Sequence, residues 1–173
     1  VYAGGVICAM KSAEAGFGQA ASLVPFAVSA LAKADMDFAM ISHVAAGRGP
    51  GSFTGLRVSL AAAKGVCLAY DLPGFGVSGL EALAYFCVDE GGVLPILVLA
   101  DTRRGNVYAQ FFAADMTPQG DIFEAQIEQL PLLVPSALGQ EAILLAGYGG
   151  QAAAAAFIGA GRQVQLAGSG MIS

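Results

Sequence analysis

At 173 residues the chain can form one large domain or two small ones, each with room for a core. Hydrophobic residues make up 56% of it and charged residues 12%, an excess of apolar surface that points to a partner; the longest uncharged stretch, 142–161, is broken by glycines and Gln151, which argues against a membrane span. The net charge of -5 argues against holding nucleic acid unaided, because phosphate neutralisation needs clustered Lys and Arg.

In chain order, 6–10 reads as a short strand, and 18–34 as a helix carrying Leu23, Ala27 and Ala30 near helical spacing, with Pro25 as a kink or first-turn residue. An apolar strand is predicted over 38–46. It runs into Gly47-Arg48-Gly49-Pro50-Gly51-Ser52-Phe53-Thr54-Gly55, and a helix is predicted over 56–70. The order is strand, glycine-rich loop, helix. Glycines permit positive φ and close backbone approach, Pro50 restricts one φ, and Ser52 or Thr54 can cap the helix by accepting its unpaired N–H groups. A helix N-terminus after such a loop invites an anion, with Arg48, Gly49, Gly51, Ser52 and Thr54 as candidate contacts. The Walker pattern fails for want of a lysine, and G-x-G-x-x-G fails at its third glycine.

The 56–70 helix carries two apolar stripes. Leu56, Leu60, Ala63, Cys67 and Tyr70 form one, and Val58, Ala62, Val66 and Ala69 the other; only Arg57, Ser59 and Lys64 interrupt them. A helix apolar nearly all round is buried on nearly all sides. One side against its own sheet leaves another to be covered, by this chain or by a second protein. Residues 73–77 read as a strand and 78–86 as a helix, with Ser78 as N-cap and Glu81 completing a capping box, so Glu81 has a structural role before any catalytic one. The polar, glycine-containing run 89–92 is the predicted link between an N-terminal lobe, 1–92, and a C-terminal lobe, 93–173. Beyond it, 93–100 and 107–113 are predicted to pair as a hairpin, with Asp101, Arg103 and Arg104 at a solvated tip. Strands over 122–130 and 143–146 and an alanine-rich helix over 148–161 follow.

No catalytic set assembles from these residues. Cys8, Cys67 and Cys87 lie far apart in apolar runs and read as reduced core thiols of a cytosolic protein; the single histidine, His43, has no partner at metal-ligand spacing. Ser52 does not sit in the G-x-S-x-G elbow of a serine hydrolase. No two acids share an apolar setting that would split their protonation behaviour.

The run 47–57, followed by Ala61-Ala62-Ala63-Lys64-Gly65 and Gly76-Val77-Ser78-Gly79-Leu80-Glu81-Ala82-Leu83-Ala84, resembles the TsaB family, also called YeaZ. Gly18-Gln19-Ala20-Ala21-Ser22-Leu23-Val24-Pro25 and Asp101-Thr102-Arg103-Arg104-Gly105-Asn106-Val107-Tyr108-Ala109 agree with it. The resemblance implies a two-lobed α/β fold of the actin-like ATPase (ASKHA, ribonuclease-H-like) class with mixed sheets flanked by helices. It also implies a first strand ahead of Val1, ending in an Asp-Thr-Ser-like turn, whose hairpin helps to hold nucleotide phosphates in the wider superfamily. Gln19 stands where the family often has histidine. The function implied is that of a noncatalytic, cytoplasmic scaffold that binds and activates a TsaD-type catalytic paralogue, with a TsaE-type ATPase docking on the pair, in forming threonylcarbamoyladenosine next to the tRNA anticodon. ATP and metal then belong to the partner subunits, tRNA is met only through the complex, and two copies pair when the paralogue is absent. Partner contacts are expected at Leu23, Ala27, Ala30, Leu56, Arg57, Leu60, Ala63, Lys64 and Cys67. Arg48 and the loop are expected to touch a nucleotide or phosphate only at that interface. The alternative is a nucleotide-dependent enzyme, a small kinase or ATPase of the actin-like superfamily.

Overall fold

The computed structural model describes residues 1–13, 19–91 and 94–167; Gly18, Gly92 and Val93, which figure in the predicted helix and link, lie outside them. The chain divides into two compact units, Val1–Val77 and Ser78–Ser173.

Unit 1 begins with a small hairpin of β1 (Tyr2–Ala3) and β2 (Val6–Ile7). Helix α1 (Gln19–Lys33) follows, with Pro25 inside it. The predicted strand over 38–46 is shorter than its apolar run suggests. Asp37 turns 38–40 into a single 3-10 turn by accepting the Ala39 N–H at 2.8 Å and the Met40 N–H at 3.2 Å, so extended pairing starts only at β3 (Val44–Gly47). Helix α2 (Phe53–Tyr70) leads to β4 (Gly74–Val77), which pairs with β3 in parallel, Val44 opposite Gly74. This is a single βαβ unit. α1 packs beside α2, and α2 lies on β3.

Unit 2 opens with α3 (Gly79–Gly91), whose N-terminus is capped by buried Ser78: its Oγ accepts the Glu81 N–H at 3.3 Å, as predicted. A five-stranded sheet follows, in the order β7-β6-β5-β8-β9. Strand β5 (Ile96–Asp101) pairs antiparallel with β6 (Val107–Phe112) across the predicted hairpin, and β6 pairs antiparallel with β7 (Phe123–Ala125). On the other side β8 (Ile143–Gly147) runs parallel to β5, and β9 (Val164–Leu166) runs parallel to β8 after the crossover helix α4 (Gly150–Gly159). Residues predicted as strand beyond Ala125 instead enter a 3-10 segment, Ile127–Leu133, which has Pro131 inside it.

Strand alternation divides the core of unit 2 into two layers. Leu97, Leu99, Ala109, Phe111, Leu145 and Phe157 pack on the α4 side; Leu80, Ala84, Cys87, Ile96, Val98 and Phe112 pack on the α3 side. This second layer explains why the division falls at 77/78 rather than at the predicted 92/93. The polar run 89–92 looks like a linker, but the helix that it ends is pinned to β5 by its buried face.

Candidate functional site

The loop at 47–55 ties β3 to α2. The Arg48 N–H donates to Val77 O at 2.8 Å, holding the loop's first residue on β4. Gly76 makes room for that arginine's stem, since a Cβ there would lie 3.2 Å from Arg48 Cδ. Gly49 is buried at φ 104, with Leu56 Cδ1 3.1 Å from where its Cβ would stand, and the Gly49–Pro50 peptide is cis. Of the two predicted caps Ser52 serves: its Oγ accepts the Gly55 N–H at 3.3 Å and its carbonyl accepts the Leu56 N–H at 2.9 Å. Thr54 is exposed. The Arg57 guanidinium lies 3.8 Å from the centroid of exposed Phe53.

The residues singled out on the two helices separate into three sets. Leu23, Ala27, Ala30 and Ala63 line an apolar groove of about 590 Å³ within unit 1. Leu56, Leu60 and Cys67 are half-buried, with Cys67 Sγ so close to Gly74 that a Cβ there would stand 2.8 Å from it. Arg57 and Lys64 are exposed and fall on one outward stripe with Ala61, Gly65 and Leu68. Leu68 is 87% exposed, and no residue of α2 is buried. The outward stripe of α1 holds Ala21, Val24, Pro25 and Val28. Sequence reasoning missed Val24, Val28, Ala61, Gly65 and Leu68, because both stripes of each helix are apolar and composition alone does not say which one turns outward.

One other expectation changes. Cys8 is exposed on the N-terminal hairpin instead of in a core, whereas Cys67 is half-buried and Cys87 buried. His43 stands exposed just before β3, with Nδ1 2.9 Å from Ser42 Oγ and its ring stacked on Phe75. At the tip between β5 and β6 the Asp101 carboxylate accepts the Arg103 backbone N–H at 2.7 Å, which gives it a turn-forming role. Among the described residues no group of His, Cys, Asp and Glu gathers at metal-binding spacing, and no helix is long and apolar enough to cross a membrane.

The family model described as TsaD, tRNA N6-adenosine threonylcarbamoyltransferase, matches residues 15–154. The TsaB tRNA threonylcarbamoyladenosine biosynthesis protein of Escherichia coli K12 is 36% identical over 86 residues, 50% of this chain and 37% of that one. Its Bacillus subtilis 168 counterpart is 36% identical over 93 residues, 51% of this chain and 38% of that one. The match therefore spans well under half the length of either relative. The structure of YeaZ from Pseudomonas aeruginosa superposes with a TM-score of 0.61 at 25% identity, over 74% of this chain and 61% of that chain. Mixed sheets flanked by helices, a matched family model over most of the chain and these relatives lead to one conclusion: the chain belongs to the TsaD-like family, on its TsaB (YeaZ) side, and has the actin-like α/β fold.

Proposed function

We propose that this protein acts in tRNA threonylcarbamoyladenosine biosynthesis as a noncatalytic scaffold that binds and activates a TsaD-type paralogue. The observation that carries this is α2, an 18-residue helix, apolar on two stripes, of which no residue is buried. Leaving Leu68 in water forfeits about 2 kcal/mol that burial would return, and Ala61 and Gly65 beside it allow another helix backbone to approach closely. Arg57 and Lys64 are the charged positions of that stripe, and Val24 and Val28 are exposed apolar positions on α1. The half-buried Leu56, Leu60 and Cys67 support the docking helix from behind.

In this reading the ATPase partner, the metal, the ATP and the tRNA belong to the assembled cytoplasmic complex. Arg48 and the loop at 47–55 reach a nucleotide or phosphate only where the subunits meet. Without the paralogue the same stripes pair two copies, since an exposed apolar face is self-complementary about a two-fold axis.

Purified full-length protein is expected to show no transfer activity alone and to restore it when mixed with the TsaD-type and TsaE-type proteins. Leu68→Glu is expected to weaken binding to the paralogue at least ~30-fold, with the circular dichroism spectrum unchanged. Transfer without the paralogue, or tight ATP binding with turnover by the full-length protein alone, would favour the nucleotide-dependent enzyme instead.

A further inference from the structure

Unit 2 carries three cationic side chains, Arg103, Arg104 and Arg162. Arg162 is committed within the fold, its guanidinium donating to the Glu141 carbonyl at 3.0 Å and the Leu138 carbonyl at 3.4 Å. The other two are adjacent and exposed at the tip between β5 and β6, and among the described residues neither guanidinium has a hydrogen-bond or ion-pair partner. The carboxylates around the tip are engaged elsewhere: Asp101 accepts the Arg103 backbone N–H, and Glu124 accepts the Asn106 side-chain amide at 2.9 Å. The turn itself is held in one shape. Thr102 Oγ1 donates to the Asn106 carbonyl at 2.8 Å and accepts the Arg104 N–H at 3.2 Å, while Arg103 at φ 58 and Gly105 at φ 89 take the left-handed region. Two guanidiniums mounted on such a backbone leave little chain entropy to lose on meeting an anion. From Asp101 to Asn106 no side chain is apolar. A protein-docking surface is anchored by apolar groups, as on the outward stripe of α2, whereas contact through charge alone is how cationic side chains hold nucleic-acid phosphates.

We propose that the β5–β6 tip is a phosphate contact, in which Arg103 and Arg104 bind backbone phosphates of the tRNA and fix its register without reading its bases. This contact rests on the function proposed above, which brings tRNA to the complex but gives unit 2 no part in holding it. Acidic residues outnumber the three arginines in unit 2, so the contact is confined to the tip and adds to binding by the other subunits.

Binding of an unmodified tRNA transcript to the assembled complex, titrated at several salt concentrations, tests this. Arg103→Gln combined with Arg104→Gln is expected to weaken binding ~10-fold at low salt, with the denaturation midpoint unchanged. The slope of log K against log salt should become shallower by about 1 to 2. Lysine substituted at both positions is expected to keep the slope, because the charge that displaces counterions stays. Assembly without tRNA is followed by sedimentation alongside. Failure of the unaltered protein to bind the paralogue overturns the function proposed above and the tip contact with it, whereas an assembled complex whose slope does not move with the glutamine pair overturns the tip contact alone. A glutamine pair that weakens assembly itself assigns the tip to a partner protein's carboxylates, and one that lowers ATP affinity with the tRNA slope intact assigns it to a nucleotide phosphate; either result overturns the RNA contact.

Discussion

Unit 2 encloses its five-stranded sheet between α3 on one face and α4 with the 3-10 segment 127–133 on the other, and its central strands are buried on both sides. Unit 1 is built from the same strand–helix–strand grammar, yet among its described residues the only buried apolar side chains are Ala30 and Leu31. Both core layers belong to unit 2. The difference lies in closure. Two strands cover one side of a helix pair, whereas five strands with helices on each face cover everything that points inward. Unit 2 is thus organised for its own stability, and unit 1 leaves apolar helix and sheet surface for other elements to cover.

The comparison can be broken most severely at Gly147, at φ 90 where β8 turns into α4. A Cβ there would run into the Leu99 carbonyl of the neighbouring strand, so Gly147→Ala should cost more than about 4 kcal/mol and leave unit 2 unfolded, read as loss of its cooperative denaturation transition. Phe157→Ala, at a fully buried position, should cost about 3 to 5 kcal/mol in urea titration. Leu60→Ala on half-buried α2 should cost about 1 kcal/mol. Equal losses at these two positions would erase the contrast. Ser52→Ala removes the acceptor for the Gly55 N–H and should lower stability by about 1 kcal/mol, with faster amide exchange confined to the first turn of α2.

The smallest effect is expected at Asp115. Its carboxylate accepts the Thr117 N–H at 2.9 Å, and that bond holds its pKa below the ordinary 3.8. Because the folded value is the lower one, the stabilisation is fully present above the unfolded carboxylate pKa and disappears as pH falls through the depressed folded value. A carbon-detected titration of Asp115 should give a midpoint below 3.8, and Asp115→Asn should remove this slight acid dependence.

Much of this was legible along the chain because the signals are local. Ser52 and Ser78 cap the helices that their spacing announced, and the apolar runs on either side of 101–106 pair as a hairpin. The strand expected over 38–46 starts only at Val44, because Asp37, just ahead of the apolar run, captures two amides, and the one expected over 122–130 ends at Ala125, two residues before a 3-10 segment that contains Pro131. The loop at 47–55 was recognisable by its glycines, but choosing Ser52 over Thr54 as the cap needed the backbone's direction.

Sequence alone determined the family, the strand–loop–helix around residue 50 and the alternation that builds the sheet of unit 2, because each rests on neighbours within a few residues or on a repeat of two. Tertiary structure decided that α3 belongs with the second unit, which stripes of α1 and α2 turn outward, and that β3 pairs with β4 beside an apolar groove. Those outcomes depend on competition between surfaces distant in the chain, and helices made of small apolar residues on every side give no local phase from which the winner can be read.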